Sequence, residues 1–100
     1  MMKDHATLSI LMAEDDADDR VLLSDAFRES GVDVALEFVH DGVELLARLN
    51  GMLAEPGGKL PDLLLLDLNM PRMDGREALH AIREHAGLKH LPVIVLTTSR

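Results

Sequence analysis

The stretch Pro61-Asp62-Leu63-Leu64-Leu65-Leu66-Asp67-Leu68-Asn69-Met70-Pro71 decides the reading of this chain. Its unbroken apolar run reads as an inner strand of a parallel sheet, covered by helices on both faces, and it stops on a carboxylate. The same punctuation recurs. Leu8-Ser9-Ile10-Leu11-Met12-Ala13 stops at Glu14 and Asp15, and Val93-Ile94-Val95-Leu96 stops at Thr97. In an open α/β sheet the carboxyl ends of parallel strands share one edge, so Glu14, Asp15, Asp67 and Thr97 are expected to converge on one crevice. Carboxylates brought together repel one another unless a cation holds them, and a hard divalent ion such as Mg²⁺ suits such oxygens.

Working outward, a further strand ends at Val39, and the strand ends lie roughly 30 residues apart, the length of a βα unit. Leu22, Leu23, Ala26 and Phe27 recur at helical spacing and predict a first helix that stops near Gly31, with Asp18 and Asp19 in its first turn, where the dipole favours negative charge. A second helix is expected over Gly42 to Leu49, with Leu45, Leu46 and Leu49 inward and Asn50-Gly51 closing it. A third is expected from Arg76 to Ala86, with Leu79, Ile82 and Ala86 inward and Gly87 as cap. Leu53 to Pro61, with Pro56, Gly57 and Gly58, reads as an exposed loop on the side away from the crevice.

Composition narrows the function. One hundred residues, 47% of them apolar, allow at most one domain. A net charge of −8, from 18 acidic against 10 basic residues, disfavours direct nucleic-acid binding, and Phe27 and Phe38 as the only aromatics offer no stacking platform. The chain has no cysteine, which removes disulfides, thiolate metal sites and cysteine nucleophiles. No run reads as a signal peptide or a membrane span, so a cytoplasmic protein without membrane attachment is expected. His5, His40, His80, His85 and His90 lack clear ligand spacing and read as surface residues.

Three spaced motifs, in order, carry a resemblance that covers nearly the whole chain: Ile10-Leu11-Met12-Ala13-Glu14-Asp15-Asp16; Pro61 through Pro71, continuing to Asp74-Gly75; and Leu91-Pro92-Val93-Ile94-Val95-Leu96-Thr97-Thr98-Ser99. The chain resembles the receiver domain of two-component response regulators. The long loop before Pro61 and the Asp-rich start of the first helix look like the single-domain regulators partnered with bacterial phytochrome kinases.

The resemblance implies a flavodoxin-like doubly wound sheet over residues 1–100 and a phosphorelay function. Asp67 would accept a phosphoryl group from a sensor histidine kinase or phosphotransfer protein, with a bacterial phytochrome as one candidate partner. Asp15 and Asp67 would bind Mg²⁺, or Mn²⁺ in its place, directly; the main-chain carbonyl of Asn69 would complete the protein ligands, and Glu14 would act through water. Thr97 would donate its hydroxyl to a phosphoryl oxygen, Thr98 would be the small residue that admits the group, and Asn69 and Ser99 would tune its autodephosphorylation. Such a domain is a phosphoacceptor with limited self-catalysed chemistry, not a conventional enzyme.

Other readings stand beside this one. An aspartate after a strand is often only a cap or turn former. Asp16, Asp18 and Asp19 are similar to a calcium loop but lack its glycine and closing glutamate. A phosphatase with an aspartyl nucleophile would want an acid where Asn69 stands. A receiver-like interaction module that is never phosphorylated is the alternative within the fold. Family receivers continue through a fourth helix, a fifth strand bearing a lysine, and a fifth helix, whereas this sequence stops at Arg100. A sheet truncated after the fourth strand would leave Val93 to Thr97 as an uncharged edge, and dimerisation or higher association is expected from it.

Overall fold

In a computed structural model describing residues 7–96, the chain alternates strand and helix from end to end: β1 (Leu8–Ala13), α1 (Ala17–Ser30), β2 (Val34–Val39), α2 (Gly42–Ala54), β3 (Leu63–Asp67), α3 (Gly75–Glu84) and β4 (Val93–Leu96). The strands form one parallel sheet in the order β2-β1-β3-β4, the order expected of a flavodoxin-like fold. The inner strands carry the continuous apolar runs. Leu11, Ala13, Leu64 and Leu66 point to one face, where Leu45, Leu49, Ala78 and Ile82 of α2 and α3 cover them. Ile10, Met12 and Leu65 point to the other, beneath Leu23 and Phe27 of α1.

The first helix follows its punctuation. Asp16 caps its N-terminus by accepting from the backbone N–H groups of Asp18 and Asp19, and Gly31 closes it at φ 80°, a left-handed position that suits glycine. Its inward face is narrower than expected. Leu23 and Phe27 pack against the sheet, whereas Ala26 is exposed and Leu22 remains 67% exposed.

Two helix ends differ from expectation. The second helix does not close at Asn50-Gly51 but runs on to Ala54. Gly51 costs a helix about 1 kcal/mol relative to alanine. The stripe of Leu45, Leu49 and Met52 packs on the core, however, and burial outweighs that penalty. Pro61 still precedes β3, and the remaining loop lies at the amino end of the strands, away from the acidic edge.

The third helix stops at Glu84, with His85 rather than Gly87 as its cap, and Ala86 is exposed. Turning early carries Leu88 and Leu91 into the core. Arg83 then ties the turn by donating to the carbonyls of Lys89 and Leu91, each at 3.0 Å. Among the described residues, no helix is long and apolar enough to cross a membrane.

Candidate functional site

Register brings the acids together. Ala13 is level with Leu66 across the β1–β3 ladder, so the next residues, Glu14 and Asp67, emerge side by side. The N–H of Glu14 donates to the carbonyl of Val39 at 3.0 Å, which extends the β1–β2 ladder by one step and fixes where the chain turns toward α1. Glu14, Asp15 and Asp67 can each present a carboxylate oxygen within 4.8 Å of the others. Glu14 and Asp67 are 1% and 0% exposed, while Asp15 is half-buried. Packing three carboxylates this closely, two of them away from water, is costly unless positive charge balances them. The donor set is all hard oxygen, which fits Mg²⁺ or Mn²⁺ and does not suit a thiolate-seeking ion.

Backbone turns hold the acids in place. Glu14 accepts from the N–H of Asp16 at 3.1 Å, and Asp67 accepts from the N–H of Asn69 at 3.0 Å. The second bond folds the chain back on itself, so Asn69 lies beside the Asp67 carboxylate. Arg20 reaches the carbonyl of Asp15 at 3.4 Å and lies over the Phe38 ring. Exposed His40 sits between Arg20 and Glu44, at 3.2 and 2.9 Å. Its backbone and side-chain bonds to Glu44 hold that carboxyl below the usual range. Thr97, Thr98 and Ser99, singled out from the sequence, lie outside the described residues.

At the starts of α2 and α3 the structure gives roles to residues that the sequence reading named without assigning them one. Gly75 packs so tightly that a Cβ there would lie 2.5 Å from the Asp67 carbonyl oxygen and 2.6 Å from the Leu68 Cα. A Cβ at Gly42 would similarly meet the carbonyl oxygen of Met73 at 2.4 Å. Asp74 opens α3 with a reciprocal capping box to Glu77. Asp41 caps α2 and also binds Arg72. The Asp-Gly-x-Glu pattern shared by Asp41-Gly42-Val43-Glu44 and Asp74-Gly75-Arg76-Glu77 was the available signal for both helix starts.

Residues 10–100 match the model of the response regulator receiver domain. The chain belongs to that family. This receiver domain is similar to response regulator Rcp1 of Synechocystis sp., with 40% identity over 90 residues that cover 90% of this chain and 61% of Rcp1. It therefore spans less than two thirds of that relative's length. The crystal structure of the phosphorylated cyanobacterial phytochrome response regulator RcpA matches at a TM-score of 0.82 and 40% identity, over 94% of this receiver and 67% of RcpA. The crystal structure of the Mn(2+)-bound form of Rcp1 matches at a TM-score of 0.80 and 39% identity, over 93% of this receiver and 67% of that chain. The receiver is thus a signalling domain of the two-component kind, and the expected fold class is the observed one.

Proposed function

We propose that this receiver is a phosphorelay switch in which Asp67 accepts a phosphoryl group from a sensor histidine kinase or phosphotransfer protein. The observation that carries the reading is the convergence of Glu14, Asp15 and Asp67 at the carboxyl ends of β1 and β3. One Asp67 carboxylate oxygen attacks the phosphorus of a phosphohistidine. The P–N bond breaks, its electron pair stays on the imidazole nitrogen, which takes up a proton, and an acyl phosphate forms on Asp67. Asp15 and Asp67, the carbonyl of Asn69, and Glu14 through water would hold Mg²⁺ or Mn²⁺, which when bound neutralises charge on the phosphoryl oxygens. Thr97 would bind a phosphoryl oxygen, Thr98 would leave room for it, and Asn69 and Ser99 would set the rate of autodephosphorylation.

RcpA is a phytochrome response regulator, and this supports a phytochrome kinase as the partner of this receiver. Neither nucleic acid nor membrane enters this reading. The acidic balance of the chain supports the first exclusion.

Metal linkage tests the pocket. Binding Mg²⁺ to the folded state alone stabilises it by about 1.4 kcal/mol at a tenfold excess over Kd. For a chain of this length that is a rise in Tm of at least about 5 °C. Asp67→Asn should shrink the shift. Thermal stability indifferent to millimolar Mg²⁺ in both proteins would mean that the acids do not form a metal site.

Association of the 100-residue chain is a separate expectation. Within the described residues β4 pairs only with β3, and its Ile94 and Val95 are 49% and 39% exposed. An uncharged apolar edge recruits another strand. We expect dimers or larger species from size exclusion coupled to light scattering, and a monodisperse monomer with cooperative unfolding contradicts this.

A further inference from the structure

Between Asp67 and Asp74 the chain makes a loop whose base is closed by the N–H of Gly75 donating to the Leu68 carbonyl at 3.2 Å, and it is fastened again toward each end. At its start, the N–H of Asn69 bonds the Asp67 carboxylate. Toward its end, Arg72 and Met73 are fastened to the N-terminus of α2. Arg72 Nε donates to Asp41 Oδ2 at 2.8 Å, and the N–H of Gly42 donates to the Met73 carbonyl at 3.1 Å. Between these points Met70 is buried in the core and Pro71 stiffens the backbone, so a shift at Arg72 has few residues in which to dissipate.

The fastening at Arg72 holds an unfavourable conformation. Arg72 has φ 63°, the only positive value at a non-glycine residue among the described residues. Such a backbone persists where its surroundings over-determine it, and strain of this kind clusters at functional sites. Asp41 supplies the side-chain part of the restraint, beside the backbone bond from Gly42 to Met73. Its side chain is 10% exposed, and its other oxygen accepts from the N–H of Glu44 at 2.8 Å, so it is locked to α2 before it meets Arg72. The Arg72 hydrogen bond is the main cause holding the Asp41 carboxyl below its ordinary range. Yet the Arg72 side chain is 60% exposed, and solvent screening on that side limits what the ion pair adds to global stability. A contact that weakly stabilises the fold while holding a strained residue acts chiefly on geometry.

We propose that the Asp41–Arg72 pair is a latch that positions the Asn69 loop and thereby sets the affinity of the acidic site for divalent metal. Asp41 and Arg72 are positioning residues and touch neither metal nor phosphate. The inference rests on the reading of Asn69 as a main-chain metal ligand beside Asp67.

The test is a double-mutant cycle in Mn²⁺ affinity, read from the electron paramagnetic resonance of free Mn²⁺, with urea unfolding in metal-free buffer as the parallel measurement. Asp41→Asn keeps a capping oxygen for Glu44 but removes the charge, and Arg72→Gln removes it from the other side. Each should weaken Mn²⁺ binding about tenfold, the scale seen when an outer partner of a metal site is lost. The double variant should be no weaker than either alone, with unfolding midpoints close to wild type. Arg72→Lys should recover part of the loss.

Arg72→Gly guards against misfolding, because glycine accepts the left-handed backbone without strain, and with no strain to hold it should lose less Mn²⁺ affinity than Arg72→Gln. A loss in Arg72→Gly as large as in Arg72→Gln, or additive losses in the cycle, overturns the latch. Wild-type protein that fails to bind Mn²⁺ overturns the metal-site reading and the latch with it. Normal wild-type binding with unchanged variants overturns the latch alone.

Discussion

Asp67→Ala is expected to abolish formation of an acid-labile phosphate when the protein is incubated with Mg²⁺ and a small phosphodonor such as acetyl phosphate, while the wild type is labelled. The effect should be all or none, because the substitution removes the nucleophile itself, and a neighbouring acid cannot adopt its line of attack. Glu14 and Asp15 stand close enough to share a cation with Asp67 but leave the sheet from a different strand. Mass spectrometry before and after acid treatment measures the outcome. Labelling that persists at another residue in Asp67→Ala would displace Asp67 from its proposed role. A wild type that never labels, despite binding Mg²⁺, would favour the unphosphorylated interaction module.

Gly75→Ala should disturb the acidic site itself through a single added methyl group. The new Cβ would lie 2.5 Å from the Asp67 carbonyl oxygen and 2.6 Å from the Leu68 Cα, both backbone atoms that cannot rotate aside. The N–H of Gly75 also donates to the Leu68 carbonyl at 3.2 Å, so separation weakens that bond as well. Overpacking of this kind costs about 1–3 kcal/mol, against at most about 1 kcal/mol of improved helix propensity. The expected result is a Tm lowered by several degrees together with a smaller stabilisation by Mg²⁺, because the displaced segment is the one that carries Asp67. Gly51→Ala is the control. A Cβ there meets nothing within 4 Å, and in mid-helix it should be neutral or stabilising. If both variants melt alike and respond alike to Mg²⁺, the close approach at Gly75 is not a constraint on the site.

Much of the site was legible because its residues follow strand ends, and strand ends are where apolar runs stop. Leu63 to Leu66 could be read as a covered strand from its letters, and so could the position of Asp67 just beyond it. That Glu14 and Asp15 belong with Asp67 follows from parallel strands sharing a carboxyl edge, once the alternation of strands and helices is read. The order of the strands came through family resemblance, since nothing in the spacing of the runs specifies which strand neighbours which.

Helix ends were less legible. Asn50-Gly51 is a local stop signal, and local signals lose when continued burial of a stripe such as Leu45, Leu49 and Met52 is worth more than the propensity of one glycine. The outward position of Leu22 was likewise hidden, because helical spacing groups residues onto a face without saying how much of that face the sheet covers.

By itself, then, the sequence determined an alternating α/β chain with carboxylates at the ends of its first and third strands, since hydrophobic periodicity and punctuation are local properties. Tertiary structure alone decided the register that sets Glu14 level with Asp67 and the close approach that demands glycine at positions 42 and 75. It also decided the bond from Arg72 to Asp41, residues 31 positions apart. These depend on where separate segments meet after packing, and meeting across that separation is a property of the whole core rather than of any window along the chain.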